Sequence, residues 1–241
     1  MKNLIKTIAY LMTLLVLGAC EINETVMPSG NITSQERVVK NYDGVQVEAT
    51  IIADIKYSDT EESIVIEADD NLHQYVEVAY INNTLRIKLK NNLNIKGRST
   101  LKAHIITRKT IEKYSASGAS QIYLIDSRTS DKVSLNLSGA SRFNGGITSN
   151  SLSVGISGAS YASISGETGT VHGTLSGASQ LQNFDMAVND ATLDLSGASN
   201  VSLTINGDID LRASGASSLT YKGNGSTVRV DLSGGSQIIK I

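Results

Sequence analysis

The sequence predicts an all-β protein, a right-handed parallel β-helix (a solenoid) with about 19–20 residues per coil. Three observations carry this. The tetrapeptide SGAS recurs at Ser117, Ser138, Ser157, Ser176, Ser196 and Ser214, with SGGS at Ser233. Copies lie 18 to 21 residues apart, and a period near twenty marks a solenoid. Apolar and polar residues alternate on both sides of each copy, as in strands with one buried face. The 241 residues include 21 Gly but only one Pro and no Trp, which suits a turn-rich β protein.

Residues 1–19 read as a lipoprotein signal peptide. Lys2 and Lys6 form a short basic region, an apolar run follows, and Leu17-Gly18-Ala19 precedes Cys20, the chain's one cysteine. The run is too short for a membrane span. Its ending resembles a bacterial lipobox, so Cys20 is the expected lipidation site and the membrane the expected partner there. Each acyl CH₂ buried in a bilayer contributes about 0.8 kcal/mol. With Cys20 lipidated, neither disulfides nor thiolate metal sites remain available.

Residues 20–35 are polar and aperiodic and read as a flexible tether. Residues 36–241 read as a single β-helical domain. Its first part, 36–116, holds alternating runs such as Tyr75-Val76-Glu77-Val78 and Leu85-Arg86-Ile87-Lys88-Leu89. Turn-prone clusters separate them, among them Asp43-Gly44, Asn82-Asn83 and Asn91-Asn92. These are irregular coils.

From residue 117 the repeat takes over. One residue before each later copy stand Leu137, Ile156, Leu175, Leu195, Ala213 and Leu232, and three before stand Leu135, Val154, Gly173, Leu193, Leu211 and Val230. Five after each first serine, counted from zero, are Ile122, Phe143, Ala162, Leu181, Val201, Leu219 and Ile238. These columns are core. Variations in spacing fall to loops such as Gly145-Gly146 and Gly223-Asn224-Gly225. SGAS itself is the corner between two strands. Gly118, Gly139, Gly158, Gly177, Gly197, Gly215 and Gly234 supply backbone angles closed to other residues, Ala fits the inside or edge of the bend, and the serines bond nearby backbone. Alternation runs unbroken through the tetrapeptide, so one long bent strand is the competing reading. A corner is favoured because a thirteen-residue strand is long for such a coil.

Several chemistries fail on these residues. A catalytic serine needs a base and an orienting group, whereas these serines recur with a structural period. A phosphate-binding loop needs a following helix. His73, His104 and His172 share no ligand spacing and read as surface residues. Asp194, Asp210, Arg212, Arg229 and Asp231 cluster in adjacent coils, as the acids of a polysaccharide-cleaving β-helix would. Their signs alternate, so a cross-strand charge ladder explains them. No enzyme, cofactor or metal is expected. The net charge of −2 gives no footprint for nucleic acid.

The outward column after each corner is richer. Gln121, Arg142, Tyr161, Gln180, Asn200 and Gln237 form an amide-rich stripe, with Tyr123, Asn144 and Gln182 two residues further on. A solvated face is the plain reading. A binding stripe for glycan or protein is the functional one. The chain also runs Gln237-Ile238-Ile239-Lys240-Ile241 within a coil and shows no polar cap, which suggests self-association through this coil.

Over residues 36–241 the chain resembles the auto-transporter adhesin, head GIN domain family, known from secreted and lipoprotein-like proteins of Bacteroidetes. The residues that carry the resemblance are Tyr42-Asp43-Gly44-Val45, Val47, Asn83-Thr84-Leu85-Arg86-Ile87 and the SGAS series. It implies a β-helical fold, no known catalytic residues and an adhesin-like role. The expectation is a non-catalytic binding protein, exported and lipid-anchored in the cell envelope at the outer membrane. A structural scaffold without an external ligand is the alternative.

Overall fold

A computed structural model of the chain describes residues 24–241. The leader and Cys20 lie outside the described residues. The chain enters through β1 (Glu24–Val26), β2 (Ile32–Arg37), β3 (Gly44–Glu48), β4 (Ile52–Tyr57) and β5 (Ser63–Asp69). A 3-10 turn at Asp70–Tyr75 leads to β6 (Val76–Ile81), β7 (Thr84–Leu89), β8 (Leu93–Ile95) and β9 (Leu101–Thr107). The repeat region lays down β10 (Lys113–Ser117), β11 (Gln121–Leu124), β12 (Thr129–Leu137), β13 (Arg142–Ile156), β14 (Tyr161–Leu175) and β15 (Gln180–Leu195). It closes with β16 (Asn200–Ile205), β17 (Asp208–Ala213), β18 (Ser218–Lys222), β19 (Ser226–Leu232) and β20 (Gln237–Lys240). All except β1 and β8 belong to one sheet of 18 strands, wound into a solenoid of about seven turns. The expected solenoid is the fold.

SGAS is a corner rather than part of a bent strand. The strands end at each copy and restart after it, with the glycines at φ between 69° and 76° while the hydrogen bonds between coils continue through the turn. There the strand before the corner pairs with its equivalent one coil away, as does the strand after it: Leu137↔Ile156↔Leu175↔Leu195↔Ala213↔Leu232, and Gln121↔Arg142↔Tyr161↔Gln180↔Asn200↔Ser218↔Gln237. The two strand sets form faces one and two. Past Gly145-Gly146 and its equivalents a short third side follows, where Ile147, Met186 and Val188 point inward. β13, β14 and β15 run around these further bends as continuous strands of 15, 15 and 16 residues.

The corner's four letters divide the work. Gly177 takes φ +76°, and a Cβ there would lie 2.5 Å from the Gly158 carbonyl oxygen, so both backbone angle and stacking distance demand glycine. From the second copy to the sixth, the alanine N–H donates to the glycine carbonyl below, as Ala178 does to Gly158 at 2.8 Å. Of the two expected places, the inside or the edge of the bend, the alanine side chain takes the outer edge and faces solvent. The second serine turns inward: Ser120, Ser141, Ser160, Ser179, Ser199 and Ser217 are at most 1% exposed. Its hydroxyl closes the turn on the first serine's carbonyl, as Ser199 does on Ser196 at 2.8 Å. It can also reach the coil below, as Ser141 does on Ala116 O at 3.0 Å.

The irregular coils stack out of chain order. β3 and β4 form one rung, β7 and β9 the rung on one side of it, and β10 and β11 the rung on the other. The chain therefore starts inside the stack, turns back through antiparallel β5 and β6, and then passes its own first rung. β6 ends face one at this pole, while β5 and β2 extend face two. Residues 24–35, expected as free tether, hold strands where they are described. β1 pairs with β8, Tyr75 Oη donates to Glu24, and β2 joins β5. His73 is also not a surface residue. It is 5% exposed, with Nε2 3.1 Å from the Thr33 carbonyl and 3.0 Å from its hydroxyl. Hydrogen bonding under β2 outweighs the usual preference of histidine for the surface.

Candidate binding surface

The corners form a ridge of small residues with a shallow groove on each side. On the face-one side, hollows are lined by first serines and the neighbouring outward column. One of about 300 Å³ lies between Asn136 and Thr174, and a larger one of about 600 Å³ lies around Asp194, Arg212 and Asp231. Gly155 leaves the smaller hollow open, because it brings no side chain between Asn136 and Thr174. The larger is lined by the alternating charges. Arg212 reaches Asp194 at 3.5 Å, and Arg229 contacts Asp210 at 2.6 Å and Asp231 at 3.9 Å. These residues satisfy one another as the expected ladder.

On the face-two side runs the amide-rich stripe, which the structure brings together in full. Gln121, Arg142, Tyr161, Gln180, Asn200 and Gln237 are successive ladder partners, with Ser218 between the last two. Tyr123 pairs with Asn144 in the next column, which continues through Ser163. Gln182 pairs with Ser202 further along the same face. Tyr123 Oη donates to Gln121 Oε1 at 2.7 Å and fixes the start of the stripe. Two hollows adjoin in its middle. One, about 420 Å³, lies among Arg142, Ser160, Tyr161 and Gln180; the other, about 380 Å³, among Tyr161, Ser163, Gln182, Asn183, Phe184 and Ser202. Tyr161 is the wall they share.

Phe184 was not in the predicted stripe. The coil carrying it holds an extra residue, and the ladder shifts register between Ala162 and Gly166 on one side and between Gln182 and Ala187 on the other. The bulge turns Asn183 and Phe184 partly outward, where comparable coils bury Ile164 and Leu203. Lys222, from two coils on, stands 4.6 Å from the ring centroid, close enough for a cation–π contact. The sequence signal was the gap of 20 residues between Ser176 and Ser196 after two gaps of 19.

Towards the capped pole, face two becomes charged. His104 lies between Asp54 (3.3 Å) and Glu67 (3.4 Å), and Lys102 contacts Glu67 at 3.1 Å. The Lys102 hydrogen bond holds the Glu67 carboxyl below its ordinary range against the opposing effect of burial, with His104 assisting. Among the described residues no three His, Cys, Asp or Glu converge as metal ligands, and no helix is long and apolar enough to cross a membrane.

The fold and this surface define a β-solenoid that presents long, regular faces with shallow polar grooves. The chain belongs to the family described as "Putative auto-transporter adhesin, head GIN domain", whose model matches residues 41–225. Solved structures share the fold. A putative adhesin from Bacteroides fragilis superposes with a TM-score of 0.80 at 19% identity, covering 90% of this chain and 100% of its own. A putative adhesin from Parabacteroides distasonis gives 0.72 at 17%, with the same coverage. A putative lipid binding protein from that species gives 0.72 at 16%, again covering 90% and 100%. No curated protein matches the chain.

Proposed function

We propose that this chain is a non-catalytic, adhesin-like protein of the cell envelope, lipid-anchored through Cys20 at the outer membrane, that binds ligand along the face-two stripe. The observation that carries the reading is Tyr161, an aromatic wall between two adjoining hollows on a face of amides and hydroxyls. A neutral glycan suits it: sugar hydroxyls exchange hydrogen bonds with Gln180, Gln182 and Asn183, and a ring face packs on Tyr161 or Phe184. Family membership supports the adhesin-like role.

The test is a glycan and matrix-protein array probed with the protein and with Tyr161→Ala. The expected result is glycan binding weakened at least tenfold by the substitution, a loss of about 1.4 kcal/mol. Binding to matrix proteins alone moves the ligand class to protein. No binding to either, with the protein shielded from protease on intact cells, supports a structural scaffold instead. Cys20→Ser should move the protein out of the membrane fraction, and unchanged membrane association would refute the anchor.

A further inference from the structure

The last coil presents the free edge of face one. Among the described residues β19 pairs with β17 and with no strand on its other side. Leu232 is 43% exposed although its ladder partner Ala213 is 4% exposed, and Val228, at the register shift where Ile209 lies opposite Thr227, is 61% exposed. Ser233 N–H donates to Ala213 in the coil below. By strand alternation Arg229 and Asp231 also turn their backbone groups inward, and Val230 and Leu232 turn theirs to the open edge.

We infer that this edge pairs with the same edge of a second copy, β19 antiparallel to β19 about a two-fold axis through Val230. The inference is independent of the face-two stripe. Such pairing sets Val230 opposite itself, with its N–H and C=O exchanged reciprocally, and brings Val228 against Leu232 of the second copy. It also sets Arg229 opposite Asp231, twice. The charges recommend this register above all. Within one chain the outward columns read Asp194–Arg212–Asp231 and Thr192–Asp210–Arg229. Across the axis the first column meets the second, giving Asp194, Arg212, Asp231, then Arg229 and Asp210 of the other copy. The sign alternates without a break through the junction. Opposite charges directly across an antiparallel pair stabilise it, and like charges oppose it. The contact is isologous and closes at two copies.

The test is sedimentation of the chain from residue 20 bearing Cys20→Ser, over a range from about 1 to 100 µM, a span that covers affinities of about −8 to −5 kcal/mol. A monomer–dimer equilibrium is expected. Asp231→Arg should weaken it at least tenfold by placing Arg beside Arg, and Arg229→Asp should do so by placing Asp beside Asp. The double variant R229D/D231R restores opposite charges across the axis and should recover part of the affinity. Both positions are exposed in the terminal coil, and circular dichroism checks that the solenoid persists. A monomer throughout the range overturns the proposal. So does an open series of oligomers, or a dimer indifferent to all three variants.

Discussion

At the scale of single residues, the least replaceable positions are where backbone meets backbone. Gly177→Ala should cost about 2 kcal/mol or more, because it adds left-handed strain and a clash with the Gly158 carbonyl. The converse sits in the first rung, where Ala49 and Thr50 turn the same corner at φ 60° and 70°. Thr50 is exposed, and a β-branched residue in that region is strained. Thr50→Gly should therefore raise the unfolding midpoint, by about 1 kcal/mol of added stability. Chemical denaturation of both variants checks the pair; equal effects of either sign would contradict this account of the corner. A second residue-scale feature is the buried pair Tyr57 and Tyr114, whose hydroxyls lie 2.8 Å apart. Burial pushes both phenols above their ordinary value, and it pushes Tyr42 up to about 12. A raised folded-state value favours the neutral phenol. Stability from these groups is thus present below about pH 10, where unfolded tyrosines ionise, and is lost as pH rises through the folded-state values. Stability should hold level to about pH 10 and then fall. Tyr57→Phe with Tyr114→Phe should flatten that fall at a cost of about 1 kcal/mol at neutral pH, measured as denaturation midpoint against pH.

At the scale of elements, legibility followed repetition. From Ser117 onward each strand could be placed because seven copies show the same columns, and the in-register stripe Gln121 to Gln237 came with them. The earlier rungs were not legible. Their corner, Glu48-Ala49-Thr50-Ile51, differs from SGAS at each of the four positions, although Gly118 stacks on Ala49. Their order in space depends on non-local pairing, with the chain passing from β9 over the β3–β4 rung so that β10 pairs on the other side of β3. No local periodicity records that. Burial of His73 depended on β2, which crosses from a segment that looks like linker. Phe184 was missed for another reason. A bulge inverts the inward–outward parity on which the column reading rests, and one additional residue in a coil was its sole trace.

At the scale of the whole molecule, the two poles are unlike. One is closed by β2, β5 and β6 and by the turn at Asp70–Tyr75; at the other, among the described residues, β19 is the edge strand. Face one stacks ten strands from β6 to β19, a height of about 43 Å at 4.8 Å per rung. Coils in such a stack draw stability mainly from their neighbours, and among the described residues β19 and β20 have a neighbour on one side alone. Pairing through β19 would give the last rung the second neighbour it lacks.

The pairing of β1 with β8 fixes where any anchor must sit. Glu24 lies four positions after Cys20, a reach of at most about 14 Å, so the closed pole is held near whatever Cys20 is attached to. A dimer joined through β19 carries its two Cys20 ends at opposite extremes, about 90 Å apart along the stack. If Cys20 carries the proposed lipid, neighbours on one bilayer cannot form it with so short a leash, whereas molecules on two facing bilayers can. The protein would then set a fixed gap between envelopes, holding cells of one kind together at a defined spacing. Vesicles bearing the lipid-anchored chain should cluster with a gap near that length by electron cryomicroscopy, and vesicles bearing Asp231→Arg should stay dispersed.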